Sequence, residues 1–193
     1  MKKVNFKYLI FSILLLSVQA ISTASTPFYL DKTTSKITIL GTSSVHDWEI
    51  KVSDFNCDAA IQLGENKQAS VSDVHVVCEV KNIESDNRIM TNKTYKALDG
   101  DKHPQIQFKA SETTTVSPGS EASIKGKLTI AGQTREISLP FTLVAENGQM
   151  VKIAGKVPLK MSDFKIEPPT AMMGALKTGD AIEIAYEIIL KTK

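Results

Sequence analysis

Three histidines are the first residues that could support metal chemistry. His46, His75 and His103 lie far apart in the sequence. No two of them have the i,i+4 spacing of ligands on a helix or the i,i+2 spacing of ligands on a strand. The sequence therefore predicts no metal site, and we expect no cofactor.

One of these histidines also belongs to a group with the residue types of a catalytic dyad and its nucleophile. His46 is followed by Asp47 and preceded by Ser43 and Ser44. Adjacent residues of a strand point to opposite faces, so His46 and Asp47 cannot easily orient one another. We therefore expect a protein that is not an enzyme.

The first 24 residues are typical of a secretory signal peptide. Lysines occupy three of the first seven positions, an apolar run extends from Tyr8 to Leu16, and small residues follow, with cleavage expected after Ala24 or alternatively after Ala20. The apolar run is shorter than the roughly 20 residues of a membrane-spanning helix. We expect a mature chain of residues 25–193 that is periplasmic or secreted and is not an integral membrane protein.

The net charge argues against nucleic-acid binding. The chain has 23 basic and 21 acidic side chains, a net charge of +2, but three of the lysines lie in the signal peptide. The mature chain keeps 20 basic and 21 acidic side chains, a net charge of −1. A nucleic-acid-binding domain normally carries a clustered basic excess, so this class is disfavoured.

An exported chain meets an oxidising compartment, which bears on its two cysteines. Cys57 and Cys78 lie in two alternating runs separated by the turn-forming residues 64–70. If the runs form a hairpin about this turn, positions that sum to 135 face each other, so Cys57 faces Cys78 and Ile61 faces Val74. The pairing predicts a cross-strand disulfide. The alternative is two buried free thiols.

Alternation of apolar and polar residues dominates the mature chain and predicts eight antiparallel strands. Turn signals separate several of them, the strongest being Asn147-Gly148. The pattern favours an up-and-down barrel or a sandwich. An eight-stranded barrel can be filled by side chains or can hold a small ligand, and periodicity does not separate the two.

Two segments interrupt the alternation. Residues 85–98 have helical spacing, with Ser85 or Asp86 as the N-cap. Residues 161–179 contain two prolines, three methionines and two glycines, and they predict a long ordered loop. Long loops in compact domains are often functional.

Five segments in order carry a family resemblance: SSVHDW at 43–48, the helix with RIM at 88–90 and KAL at 96–98, HPQIQFKA at 103–110, GKLTIAGQTR at 126–135 and MSDFKIEPP at 161–169. From about Pro27 to the C-terminus the chain closely resembles the YceI-like family of exported bacterial proteins. The resemblance implies an all-β fold, an eight-stranded antiparallel lipocalin-like barrel with one short helix. It also implies a hydrophobic channel that holds a polyisoprenoid or a similar amphiphilic lipid without catalysis.

The resemblance and the inward positions of the strands together imply the channel lining. It comprises His46, Trp48, Phe55, Ile61, Val76, Met90, Leu98, Ile106, Phe108, Leu128, Phe141, Met161, Phe164, Met172, Met173 and Tyr186. The helix segment 87–93 departs from the Asp/His/Arg-rich version of many members, which predicts fewer charged contacts to a neutral or less acidic head group. The alternative function is a fully packed, stress-protective periplasmic domain without a ligand. The sequence leaves a homodimer open.

Overall fold

The computed structural model describes residues 28–64, 68–146 and 148–192. The predicted signal peptide and Asn147 of the predicted hairpin turn lie outside the described residues. The described strands are β1 (Tyr29–Leu30), β2 (Lys36–Ser43), β3 (Trp48–Val52), β4 (Asn56–Leu63), β5 (Ala69–Glu79), β6 (Ile83–Glu84), β7 (Gln105–Ala110), β8 (Thr114–Val116), β9 (Glu121–Ile130), β10 (Gln133–Glu146), β11 (Met150–Lys160), β12 (Thr170–Ala171) and β13 (Leu176–Lys191). One α-helix, α1 (Arg88–Ala97), and three 3-10 helices (Val80–Asn82, Met161–Phe164 and Met172–Gly174) complete the described elements.

The strands pair as one antiparallel sheet that returns to its starting hairpin. The order of neighbours is β4-β5-β7-β9-β10-β11-β13-β2-β3-β6. Its two ends are halves of one bent hairpin, because β3 continues into β4 and β5 continues into β6. The backbone amide of Ser53 donates to the carbonyl of Asn82 at 2.8 Å and carries the pairing across the bend. The ladder therefore closes into a barrel.

The predicted all-β barrel of eight antiparallel strands is confirmed. Thirteen strands are described because β1, β8 and β12 are short additions and the bend divides two long strands in half. When β3 with β4 and β5 with β6 are each counted as one, eight long strands remain.

The predicted disulfide is wrong. Cys57 pairs with Val76 in the β4–β5 ladder, whereas Cys78 pairs with Ile106 of β7. Cys57 and Cys78 are thus diagonal neighbours, which lie roughly 7–8 Å apart between Cα atoms and beyond ordinary disulfide geometry. Both cysteines are free and buried.

The register explains this error. Val52 pairs with Ile83 in the β3–β6 ladder, and these positions do sum to 135 as predicted. The 3-10 turn Val80–Asn82 lies between β5 and β6 and adds two residues to this strand relative to the β3–β4 strand that it pairs with. A β-bulge in β5, opposite Asp58–Ala60, adds a third residue to the same strand, and Asp73 in this bulge has a φ of 52°. Ile61 therefore pairs with Val71 instead of the predicted Val74.

Helix α1 begins three residues later than predicted. Its N-cap is Asn87, whose side chain accepts hydrogen bonds from the backbone amides of Ile89 and Met90 at 2.9 and 3.3 Å. The Ser85 hydroxyl accepts from the backbone amide of Asn87 and stabilises the turn before the cap. An extended Asn can satisfy two free helix amides at once, which fixes the start of the helix.

The predicted loop 161–179 is shorter and contains regular structure. Met161–Phe164 forms a 3-10 helix, and Thr170 of β12 pairs with Lys177 of β13, which already begins at Leu176. In an up-and-down barrel alternate connections lie at the same end. This segment, the β2–β3 loop, α1 and the β9–β10 turn therefore surround one end of the barrel, called here the mouth.

The opposite, far end of the barrel is packed solid. Leu143, Val151 and Leu190 from three neighbouring strands are almost completely buried there, with exposed fractions of 0, 0 and 1%. Ala69 of β5 pairs with Val116 of β8 at the same end, and both are buried. This plug closes the barrel at the far end.

Candidate functional site

A cavity of about 480 Å³ occupies the barrel between the far-end plug and the mouth. Inward-facing side chains of the long strands and one face of α1 line it, and most of them are apolar. The plug residues Leu143, Val151 and Leu190 do not line it, so the cavity is blind at that end. The volume is within the roughly 300–1,000 Å³ range of small-molecule sites.

Most of the lining anticipated from the sequence lies on this cavity. Twelve of the sixteen named residues line it: His46, Trp48, Val76, Met90, Leu98, Ile106, Phe108, Leu128, Phe141, Met161, Phe164 and Tyr186. Phe55 and Ile61 are buried but lie outside it. Met173 is fully exposed, and the side chain of Met172 is not among those described.

The displaced residues have structural explanations. Phe55 lies at the bend between β3 and β4, where the chain leaves the alternation. Ile61 is buried in the core beside its partner Val71, and of these two residues only Val71 lines the cavity. Met173 is the turn residue between β12 and β13 and has a φ of 53°, which directs it away from the barrel interior.

Sequence reasoning missed several lining residues on recognised strands. Ile37 and Ile39 of β2 and Ile182 and Ile184 of β13 line the cavity. Their alternation was visible in the sequence, but no feature distinguished them from other inward-facing residues.

Aromatic rings on the cavity wall lie over glycines of neighbouring strands. Gly41 pairs directly with Trp48, and a Cβ on this glycine would stand 2.6 Å from Cε2 of the indole. A Cβ on Gly126 would stand 2.6 Å from Cε2 of Phe108. Real Cβ atoms do not approach ring atoms this closely, so only glycine permits these positions. Each ring therefore fits against the wall and leaves the lumen open.

The ring of Tyr186 also lies over a glycine, and its hydroxyl reaches a polar group beyond that glycine. It pairs directly with Gly155, and a Cβ there would stand 2.6 Å from the tyrosine hydroxyl. The hydroxyl passes this glycine and donates a hydrogen bond to the backbone carbonyl of Pro140. Burial raises the pKa of Tyr186, so the phenol stays protonated and its polar end is satisfied by the wall.

The two thiols also line the cavity and remain protonated. Burial, with a further contribution from Asp58, raises the pKa of the Cys57 thiol to about 12. Burial and the neighbouring Glu79 raise the pKa of the Cys78 thiol to about 11. Because the thiolate is the nucleophile, these side chains act as apolar wall at neutral pH.

The mouth supplies positive charge to the cavity. Lys93 of α1, Lys160 of β11 and Lys177 of β13 line it together with His46, and no carboxylate is among its described lining residues. The ammonium group of Lys93 donates to the backbone carbonyl of Thr170 at 2.6 Å. Thr170 pairs with Lys177, so two of the lysines flank the same short ladder. Lys93 comes from α1 and the other two lysines come from strands distant in the chain, a grouping that the sequence did not predict.

The 3-10 helix Met161–Phe164 brings Phe164 to the cavity. The carboxylate of Asp180 accepts hydrogen bonds from the backbone amide and the hydroxyl of Ser162 at 2.8 and 2.6 Å. These bonds lower the pKa of Asp180. Arg135 adds a bond from Nε to the carbonyl of Asp163 at 2.8 Å. The short helix is thus fastened from two strands, and Phe164 is only 2% exposed.

The histidines form no catalytic or metal cluster in the described part of the chain. Nδ1 of His46 lies 2.7 Å from the backbone carbonyl of Asp47, its immediate neighbour. A Cβ on Gly132 would overlap the ring of His103, which therefore packs on the β9–β10 turn. Residues 28–64, 68–146 and 148–192 contain no group of three His, Cys, Asp or Glu side chains that could hold a metal ion. Among these residues, no helix has the length and hydropathy needed to cross a bilayer.

Comparisons with known proteins agree with this architecture. The family model described as YceI-like domain matches residues 28–190. BcnA from Burkholderia cenocepacia has the same fold, with a TM-score of 0.66 and 20% identity over 83% of this chain and 98% of BcnA. The Campylobacter jejuni YCEI protein gives a TM-score of 0.59 and 19% identity over 75% of this chain and 84% of that one.

A third structure carries a binding description of its own. It is a polyisoprenoid-binding domain from Saccharophagus degradans implicated in plant cell wall breakdown, with a TM-score of 0.66. Its identity is 8%, over 87% of this chain and 99% of that domain. No curated protein sequence matches the chain.

Proposed function

The chain belongs to the YceI-like family, and from this premise we propose that it binds one long-chain isoprenoid or similar amphiphilic lipid without catalysing a reaction. The observation that carries the proposal is the blind apolar cavity of about 480 Å³ inside the barrel. The polyisoprenoid-binding domain of Saccharophagus degradans shares this fold and supports the same class of ligand.

The physical chemistry of the cavity favours a hydrocarbon chain. Each buried methylene contributes about 0.8 kcal/mol, so a dozen methylenes contribute on the order of 10 kcal/mol before the costs of association are subtracted. Methionines at Met90 and Met161 give the wall a flexible, polarisable component that adapts to branched or bent chains. A tail that enters from the mouth ends against the far-end plug.

The two ends of the cavity orient the ligand. The plug end offers apolar side chains, whereas Lys93, Lys160 and Lys177 line the mouth. An amphiphile therefore places its tail inward and its polar end among the lysines. Because no carboxylate is among the described lining residues, these cations suit an anionic head group, in contrast to the neutral or less acidic one anticipated from α1.

A binding role rather than catalysis is supported by the state of the polar groups on the wall. The Tyr186 hydroxyl already donates to the carbonyl of Pro140, and burial keeps the thiols of Cys57 and Cys78 protonated. None of these groups is activated for acid–base or nucleophilic work. The signal-peptide pattern supports a site of action outside the cytoplasm, where the protein would sequester or transport its lipid.

The alternative function is a protective domain without a ligand. It predicts that side chains pack tightly throughout the barrel, as they do at the far end. Leu143, Val151 and Leu190 pack tightly at the far end, whereas a cavity of about 480 Å³ lies between them and the mouth. This contrast favours the lipid-binding proposal.

The test is the recovery of lipid from protein exported by cells that express the full chain. Native mass spectrometry and organic extraction are expected to give one long-chain lipid per protein. Ala59 lines the cavity and neighbouring Ala60 is exposed on the outside, so they form a matched pair. Ala59→Trp is expected to lower lipid occupancy, and Ala60→Trp to preserve it. Recovery of empty wild-type protein under conditions where added isoprenoids and fatty acids also fail to bind would refute the proposal.

A further inference from the structure

The exposed apolar side chains are distributed unequally between the two ends of the barrel. Val45, Ile89 and Met173 have exposed fractions of 61, 69 and 107%, the largest among the exposed large apolar residues of the described chain. They lie on the β2–β3 loop, at the start of α1 and in the β12–β13 turn, which are three different connections around the mouth. The remaining large exposed apolar residues, Tyr29, Leu63 and Val144, lie towards the far end and are 39–45% exposed.

Hydrogen bonds join the three connections into one rim. Lys93 of α1 donates to the carbonyl of Thr170 in β12 at 2.6 Å. On the other side, the amide of Ser44 donates to the carbonyl of Lys177 at 2.9 Å, and the amide of Lys177 donates to the Ser44 hydroxyl at 3.1 Å. The two strands that flank the Met173 turn are therefore both hydrogen-bonded to the rest of the rim. One is bonded to α1, which carries Ile89, and the other to the β2–β3 loop, which carries Val45.

The turn between β12 and β13 holds Met173 in an unusual backbone conformation. Its φ is 53°, in the left-handed region that non-glycine residues seldom adopt, and Gly174 follows with a φ of 89°. This backbone presents a fully exposed methionine at the rim. Such a side chain gains nothing from the fold, but it gains free energy when another apolar phase covers it.

We propose that this rim docks on a lipid bilayer with anionic head groups. Val45, Ile89 and Met173 insert at the boundary of the acyl chains, and the mouth opens towards the membrane. Lys93, Lys160 and Lys177 line the mouth without a carboxylate among its described lining residues, and their charge complements anionic head groups. This docking goes beyond lipid binding, because a barrel can hold a lipid without ever contacting a bilayer.

Vesicle co-sedimentation tests the proposal with the purified mature protein. We expect binding to phosphatidylcholine vesicles that contain phosphatidylglycerol, and weaker binding to pure phosphatidylcholine or at high salt. Replacement of one rim residue by serine (Val45→Ser, Ile89→Ser or Met173→Ser) is expected to weaken binding roughly tenfold, and the triple replacement more strongly. The matched control is Leu63→Ser with Val144→Ser at the far end, which is expected to bind like the wild type.

Three outcomes would overturn the docking proposal. Triple-variant binding equal to the wild type would exclude the rim, and equal losses in the far-end control would show a non-specific effect. A wild-type protein that fails to bind vesicles but forms a dimer that the triple replacement dissociates would identify the rim as a contact between two copies. Lipid content, measured on the same samples, separates this proposal from the previous one: lipid-loaded protein that never binds vesicles refutes docking alone.

Discussion

The indole of Trp48 covers the position that a side chain on Gly41 would occupy. The two residues pair directly across β2 and β3, and the indole Nε1 donates to the carbonyl of Thr42 at 2.9 Å. A ring also covers the side-chain position at Gly155, whose direct partner is Tyr186, and at Gly126, which lies diagonally opposite Phe108. These glycines allow large rings to fit against the wall, which explains how a barrel rich in inward-facing aromatic residues keeps a cavity.

Gly41→Ala is expected to displace the ring of Trp48 from the wall. The added methyl group overlaps the indole, so the ring must move and lose its bond to the carbonyl of Thr42. Trp48 is the only tryptophan, so intrinsic fluorescence reports on this ring alone. We expect a shifted emission maximum and lower lipid occupancy in a folded protein. An unchanged spectrum would contradict the contact.

Gly126→Ala is expected to destabilise the fold by about 1–3 kcal/mol through overpacking. The methyl group overlaps the ring of Phe108 and the backbone of Lys109. Phe108→Leu removes the ring, so the double variant is expected to be more stable than the sum of the two single effects. Chemical denaturation of the four proteins measures this coupling. Strict additivity would show that the ring and the glycine do not interact.

Replacement of the mouth lysines tests the orientation of the ligand. Lys93→Gln with Lys177→Gln is expected to weaken binding of a fatty acid or prenyl phosphate about tenfold or more, because a charge-assisted hydrogen bond contributes roughly 1.5–3 kcal/mol. Binding of a long-chain alcohol is expected to change little. Lys96 of α1 is exposed and does not line the cavity, so Lys96→Gln is the matched control. Isothermal titration calorimetry with each lipid measures the difference, and equal losses for acid and alcohol would refute the assigned head-group position.

The burial of the two thiols predicts that they react slowly with alkylating reagents in the folded protein. Their pKa values of about 12 and 11, against an ordinary 9.0, lower the thiolate fraction at pH 8 by about a thousandfold for Cys57 and a hundredfold for Cys78. Iodoacetamide is therefore expected to modify the native protein very slowly and the denatured protein rapidly. Mass spectrometry of the alkylated peptides distinguishes the two sites. Rapid native labelling at pH 8 would contradict their burial.

The same shifts predict a loss of stability at alkaline pH. Below pH 9 both the folded and the unfolded thiols keep their protons, and the contribution to stability is complete. Above pH 9 the unfolded thiols ionise first, so the free energy of unfolding falls as the pH rises towards 11 and 12. We expect the melting temperature to fall less steeply between pH 8 and 10.5 in Cys57→Ala with Cys78→Ala than in the wild type. Parallel slopes would contradict this linkage.

Much of the fold could be predicted from residue patterns because strand alternation is a local property. Ile106 and Phe108 alternate with polar neighbours in the sequence, and both face the cavity. Helical spacing is also a local property, so the helix could be recognised. Its N-cap, Asn87, could not be distinguished from the nearby Ser85 and Asp86. Hydrogen bonds to particular amides decide a cap, and these depend on the backbone path before the helix.

The pairing of the two cysteines could not be predicted from the alternation of apolar and polar residues. Alternation continues through Val76, Cys78 and Val80 without a visible break, yet the 3-10 turn Val80–Asn82 inserts two residues into the ladder. The bulge at Asp73 inserts another. Such insertions change the partner of every residue beyond them, so the disulfide prediction failed although both strands were recognised.

The sequence by itself determined which face of each strand points inward, and the tertiary structure alone decided where that interior is full and where it is hollow. Phe141 and Leu143 occupy the same face of β10, but Phe141 lines the cavity and Leu143 packs in the plug. Tertiary structure also brought Lys93 and Lys177 to one mouth from distant parts of the chain. The reason is that alternation specifies the direction of a side chain, whereas packing depends on what stands opposite across the barrel.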